Sequence, residues 1–413
     1  MPLFYEILSP SGLTDTPGFQ AAAVAADIRR KGTDRLDLTV VYSEAPCTAA
    51  GVFTQHALPA APVVQCRQAL QTGKPLHGFV ANSGNANACT GEEGLKDATA
   101  MQRTLAQALG ADGDAFFVSS TGRIGQPLPM DAILPGIKDA AGKLGATFHH
   151  GLNAADAILT SDTRRKVVSV KVPVGDREVT LSAMAKGAGM IEPNMATMLA
   201  FIATDAQIEQ PFLQELLSAS VVDTFNAISV DGDMSTNDTV LVLANGQSGV
   251  AVERDSEAAT AFTAALQHVC QRLARMIVGD GERISKVVEI KVLGAARQED
   301  ATKVARAIGN SLLVKSSWYG NDPNWGRVLD AAGYAGVPMR EDQIELYYRA
   351  SGKTPAIPAF VKARLYPELK PTWKQIVSLP TFTIELHLNQ GEASQRFFST
   401  DLTEGYVDYN KSE

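Results

Sequence analysis

Apolar and polar positions change period several times along the first half of the chain. Leu36-Asp-Leu-Thr-Val-Val-Tyr42 alternates enough to read as a strand, and Phe79-Val-Ala-Asn82 reads as another, running into Ser83-Gly-Asn-Ala-Asn87. From Leu95 to Leu109 the spacing is helical and stops at Gly110, a residue suited to a left-handed C′ position. Residues 128–144, with Asp131 near the start, and 151–160, ending at Thr160-Ser-Asp-Thr163, predict two more helices. Lys166–Val174 and Val179–Ala185 are β-rich runs separated by Gly175-Asp-Arg177, which predicts a hairpin. A glycine-rich loop follows, Lys186-Gly-Ala-Gly-Met190. After Ile191-Glu-Pro-Asn-Met-Ala196, the run Thr197-Met-Leu-Ala-Phe-Ile-Ala203 is short and apolar enough for a buried strand.

In the second half, helices are predicted near 209–222 and 256–277. In the latter, Phe262, Leu266, Val269, Leu273 and Ile277 recur every three or four residues and give one apolar face. Thr239–Ala244 and Lys286–Val292 predict strands, residues 322–334 a short helix, and Pro355–Pro358 a surface loop or linker. There is no internal repeat. Strand pairs mixed with helices, without strict alternation, predict an α+β fold of layered sheets with flanking helices.

Composition narrows the function classes. A chain of 413 residues suggests two or three structural units, and 45% hydrophobic with 20% charged residues is ordinary for a globular protein. The net charge of −8, with basic clusters only at Arg29-Arg-Lys31 and Arg164-Arg-Lys166, argues against nucleic-acid binding. Neither a secretory leader nor a membrane-length apolar run is evident, so the expected location is the cytoplasm. Cys47, Cys66, Cys89 and Cys270 form no CxxC pair and read as buried free thiols in a reducing compartment.

Familiar chemistry is missing. The six histidines form no HExxH or zinc-ligand cluster, and there is no phosphate loop, GxGxxG or GxSxG elbow, so no metal or cofactor is expected. Asp231-Gly-Asp-Met-Ser-Thr-Asn-Asp238 lacks the glycine placement and distal glutamate of an EF-hand and reads as a polar turn. A threonine hydroxyl needs a base, and no histidine is near Thr197. Cleavage before Thr197 would free its own α-amine for that role; such an amine titrates at roughly 7.7–8.0. Val118-Ser-Ser-Thr-Gly122, between a strand-like stretch and a loop, suits an oxyanion site. By these residues alone, Thr197 reads first as the opening residue of a core strand, and Thr121-Gly122 as a glycine turn.

Taken together, Ser119-Ser-Thr-Gly122, Lys186-Gly-Ala-Gly-Met190, Pro193-Asn-Met-Ala-Thr-Met-Leu199 and Asp322-Pro-Asn-Trp-Gly-Arg327 resemble the ornithine acetyltransferase family of arginine biosynthesis. So do Asn82–Gly91, Asp231–Asp238 and Asp401-Leu-Thr403. The resemblance implies a self-processing acyltransferase of the N-terminal-nucleophile type. It implies scission between Ala196 and Thr197, giving an α chain of residues 1–196 and a β chain of residues 197–413. It makes Thr197 the nucleophile and Thr121 and Gly122 the oxyanion hole, with Thr160, Lys186, Thr197, Glu282 and Asn410 as substrate-binding positions. The implied reaction moves acetyl from N2-acetylornithine to glutamate and gives ornithine and N-acetylglutamate. The resemblance leaves open whether acetyl-CoA also serves as a donor. An α2β2 heterotetramer is the implied assembly.

The sequence departs from the family pattern at Arg283-Ile-Ser-Lys286, where many relatives have small residues, so that Arg283 adds positive charge beside Glu282. After Asn410 come Lys-Ser-Glu, where many relatives continue to a C-terminal threonine that touches substrate. Two other readings stand beside the transferase: a self-processing aminopeptidase or amidase, for which the usual nucleophile is serine, and a binding protein that keeps the fold without processing.

Overall fold

A strand far longer than its neighbours organises the first half of the protein. The computed structural model describes residues 4–192, 198–350 and 352–411, and the chain divides into two compact units. In the first, the strands are β1 (Glu6–Ile7), β2 (Phe19–Val24), β3 (Leu38–Phe53), β4 (Leu76–Asn85), β5 (Phe116–Arg123), β6 (Lys166–Val174), β7 (Arg177–Lys186), β8 (Leu199–Thr204) and β9 (Thr239–Ala244). Its helices are α1 (Ala61–Gln71), α2 (Gly91–Leu109), α3 (Met130–Ala141), α4 (Phe148–Ala157), α5 (Gln210–Val222) and α6 (Glu257–Val278). The beginning of β3 pairs with β2 and β4, while its end, from Thr48 to Phe53, pairs with β9. One strand thus serves two ladders, and the order runs β1-β6-β7-β8-β9-β3-β4-β5.

Alternation along the strands explains how the two ladders pack. Phe19, Ala21, Val41, Phe79, Ala81 and Phe117 from one share a core with Met184, Leu199, Phe201, Ala203, Leu241 and Leu243 from the other. The rings of Phe79 and Phe201 stack with centroids 4.0 Å apart. On the outer face of the first ladder, Val40, Val80, Phe116 and Val118 pack with Met101 and Leu105 of α2 and Ile133 and Ile137 of α3. Ala200, Ile202, Val240 and Val242 point away from the shared core and are buried too, so β8 and β9 are covered on both faces. That is why they read as continuous apolar runs rather than alternating ones. The predicted stripe of α6, Phe262 through Ile277, is buried.

The second unit, residues 188–192, 227–233 and 278–413, is built on another sheet. Its strands are β10 (Val287–Ala295), β11 (Glu345–Arg349), β12 (Ile357–Val361), β13 (Arg364–Leu365), β14 (Thr381–His387) and β15 (Ala393–Thr400). Its helices are α7 (Gln298–Asn310), α8 (Leu312–Tyr319), α9 (Trp325–Gly333), α10 (Lys370–Val377) and α11 (Glu404–Asn410). The order is β13-β12-β11-β14-β10-β15, around a core that includes Ile290, Val292, Trp318, Tyr348, Phe382, Ile384 and Phe397.

Layered α+β architecture, the β6–β7 hairpin, α2 with its left-handed Gly110, and β9 follow the sequence pattern. Some expectations are corrected. Pro355–Pro358 is not a linker: Ile357 and Pro358 open β12, and Pro358 is accommodated at a register shift opposite Tyr347. The helix expected to end at 160 ends at Ala157 and leaves Thr160 in a loop. Thr121 and Gly122 lie on β5 rather than after it. Cys47, Cys66 and Cys270 are buried, which pushes each thiol up to about 12, but Cys89 is exposed. No helix among the described residues is long and apolar enough to cross a membrane.

The expected chain junction at Ala196 and Thr197 lies outside the described residues. The first unit nonetheless draws on both sides of it, because β8 and β9 lie between β7 and β3. The Phe79–Phe201 stack should carry much of the cohesion between the two ladders. Phe201→Ala is expected to cost about 3–5 kcal/mol, measured as a lowered midpoint in urea unfolding.

Candidate active site

Register brings several of the predicted residues to one end of the first unit's sheet. Lys186, the last residue of β7, pairs with Leu199; Leu199 pairs with Thr239 of β9, and Thr239 with Phe53 of β3. Just beyond this row, the Thr54 N–H donates to the Asp238 carbonyl (2.9 Å), and the Thr54 hydroxyl donates to the Ser235 carbonyl (2.7 Å). Asn237 Nδ2 donates to the carbonyls of Ser120 (2.8 Å) and Ala86 (2.6 Å), which ties this end to the residue preceding Thr121. Ala196 and Thr197 themselves lie outside the described residues; the described chain resumes at Met198, whose N–H donates to Asp238 Oδ1 at 2.9 Å.

Thr121 and Gly122 sit at the outer end of β5, where its parallel pairing with β4 becomes irregular at Gly84 and Asn85. Gly122 has φ +133°, and a Cβ there would lie 2.3 Å from the Gly84 carbonyl carbon and 2.5 Å from the Asn85 nitrogen. Only glycine satisfies both the backbone angle and the close approach. The neighbouring β4 backbone is what requires glycine here.

Thr160 and Lys186 are brought together by a residue that sequence reasoning passed over. Asp162, whose side chain is fully buried, accepts from Lys166 Nζ (2.7 Å), the Gly187 N–H (2.7 Å) and the Thr160 N–H (3.0 Å), and lies 4.0 Å from Lys186 Nζ. Burial pushes the Asp162 carboxyl up. The ammonium groups of Lys186 and Lys166, with the hydrogen bonds, outweigh that and hold it at about 2. Two ammonium groups thus flank one buried carboxylate. Lys186 is 6% exposed.

Glu282 and Asn410 meet in the second unit. Asn410 Nδ2 donates to Glu282 Oε2 (3.3 Å), and the Glu282 N–H donates to the Ala188 carbonyl (3.0 Å). The carboxylate lies against Gly189, where a Cβ would fall 2.3 Å from Glu282 Oε1, so the second glycine of the predicted loop makes room for it. Asp231 is no free turn carboxylate: its oxygens accept the N–H groups of Met190 and Ile191, each at 2.7 Å. Arg283 turns its guanidinium over the Tyr409 ring, 5.1 Å from the centroid, and its carbonyl accepts the Thr403 hydroxyl. Its charge is thus placed on α11, next to Asn410 in sequence.

Residues 20–412 match the ArgJ family. The arginine biosynthesis bifunctional protein ArgJ of Symbiobacterium thermophilum is 44% identical over 407 residues, 97% of this chain and 98% of that relative. The chain belongs to the ArgJ family. The ArgJ protein of Thermotoga neapolitana is 42% identical over 395 residues, 95% of this chain and 98% of its own length. The ornithine acetyltransferase of Mycobacterium tuberculosis, solved with ornithine, is 40% identical, with a TM-score of 0.43, over 46% of this chain and 98% of that one. As an ArgJ family member, the protein is an enzyme, an acyltransferase of arginine biosynthesis.

The sequence did not single out Asp162, Lys166, Asn237 or Asp238 as site residues. One signal was available, a run of polar residues, Ser235-Thr-Asn-Asp238, set directly against the apolar strand β9 and buried with it. The Asp162 cluster yields a pH prediction. Its folded carboxyl titrates below the ordinary 3.8, so its stabilisation is present above that value and lost as pH falls toward about 2. In urea unfolding, the stability gap between wild type and Asp162→Asn should narrow by on the order of 2 kcal/mol between about pH 6 and about pH 2.

Proposed function

We propose that the chain splits itself between Ala196 and Thr197, and that Thr197, as the new N-terminal residue, carries acetyl from N2-acetylornithine to glutamate. The observation that carries this reading is the register that sets Lys186 opposite Leu199, two residues past Thr197 in the sequence, with Asn237 tying the same end to Ser120. The Thr197 hydroxyl attacks the acetyl carbonyl, and its proton passes to the α-amine. The Thr121-Gly122 backbone supports the developing oxyanion, ornithine leaves with the proton, and the acetyl group stays on Thr197 as an ester. The glutamate amine then attacks that ester, N-acetylglutamate departs, and the hydroxyl is restored.

Charge assigns the binding roles. The Lys186 ammonium suits the α-carboxylate of either amino acid, and the Glu282 carboxylate suits the ornithine side-chain ammonium. Thr160 and Asn410 supply neutral hydrogen bonds that set orientation. Acetyl-CoA as a second donor, an α2β2 assembly and a cytoplasmic location belong to the same reading.

Two measurements test it. Denaturing electrophoresis with mass spectrometry should find fragments 1–196 and 197–413, and Thr197→Ala should remain one chain without turnover. The fragments should copurify under native conditions, since β8 and β9 are paired between β7 and β3. A full-length wild-type chain in active protein would overturn the scission. Second, ornithine release from N2-acetylornithine should depend on added glutamate; release at the same rate without it would make the enzyme a hydrolase of the aminopeptidase or amidase kind.

A further inference from the structure

The two carboxyl oxygens of Asp238 are treated differently. The residue is 1% exposed. Oδ1 accepts the Met198 N–H at 2.9 Å, whereas Oδ2 is buried without a hydrogen-bond partner among the described residues. The polar side chains nearby are committed elsewhere: the Thr54 hydroxyl to the Ser235 carbonyl, the Thr236 hydroxyl to Asn237 Oδ1 (2.6 Å), and the Asn237 amide to Ala86 and Ser120. A buried polar atom left unpaired is costly, and folds keep such atoms where function uses them. Desolvation raises the carboxyl well above its ordinary range, against the opposing pull of the Met198 N–H, the neighbouring Thr54 hydroxyl, the Lys186 charge and the Ser235 N–H.

The N–H that Oδ1 holds belongs to the planar peptide joining residues 197 and 198. We propose that Asp238 is a positioning residue for Thr197, fixing the peptide plane that follows it through Oδ1 and reserving Oδ2 for the nucleophilic residue itself. This rests on the reading of Thr197 as the nucleophile. An asparagine amide keeps an oxygen that can accept the Met198 N–H, in a side chain of the same shape. The conservative substitution should therefore preserve the role, and truncation should remove it.

The test compares wild type, Asp238→Asn and Asp238→Ala for rate of scission, melting temperature, and kcat and KM of the cleaved fraction. Asp238→Asn should stay within about threefold of wild type in scission and kcat, while Asp238→Ala should lose at least about tenfold in both with KM within about twofold. Should Asp238→Ala fail to fold, Asp238→Ser, polar but too short to hold the Met198 N–H, takes its place. Wild-type scission and kcat in the truncated variant would overturn the proposal, as would a lowered melting temperature with kcat intact. Equal loss in Asp238→Asn would overturn it too, since the carboxyl would then act by titrating. A wild-type chain that never splits would overturn the reading of Thr197 and this proposal together; one that splits beside an unaffected Asp238→Ala overturns this proposal alone.

Discussion

Insertion of β8 between β7 and β9 is the constraint on which the rest of the first unit depends. Hydrogen-bond register leaves no freedom there: a slip of one residue would turn Leu199, Phe201 and Ala203 out of the shared core and bring Ala200 and Ile202 into it. The same register fixes which residue ends β7 opposite Leu199, and so places Lys186. It also joins sequence from both sides of the proposed scission point into one sheet, so that a cut there would leave the packing intact.

Two buried aspartates near this end show how environment decides charge. Asp162 has two ammonium groups and several N–H donors around it and is held ionised. Asp238 is fully buried, and desolvation pushes its carboxyl well up against the opposing Met198 N–H, Thr54 hydroxyl, Lys186 charge and Ser235 N–H. The first carries fixed charge that orients Lys186 and balances Lys166. The second holds the N–H of Met198, the residue that follows Thr197. Neither behaviour follows from residue type, because both depend on what the fold packs within a few ångströms.

In the second unit, small residues set the geometry. Gly189 leaves room for the Glu282 carboxylate, and Asp231 holds the two N–H groups that follow. α11 brings Asn410 to Glu282, with Arg283 stacked on Tyr409 beside it. The acidic stretch that reads as a polar turn therefore does two separate jobs, one at each end.

Much was legible in the sequence. The period of apolar residues announced α2 to α6, α9, the β6–β7 hairpin and the buried runs of β8 and β9, because burial on one or both faces dictates residue choice locally; α1, α7, α8, α10 and α11 were not read from it. The motifs likewise marked Thr197, Thr121-Gly122, Lys186 and Glu282 as residues of one family. What the sequence did not yield was partnership. That β3 serves two ladders, that Thr160 and Lys186 meet through Asp162, and that Asp238 holds the Met198 N–H are contacts between residues far apart in the chain. Local patterning records which face of an element is buried; only tertiary packing determines which distant groups share that interior, and with them the protonation of every buried carboxyl.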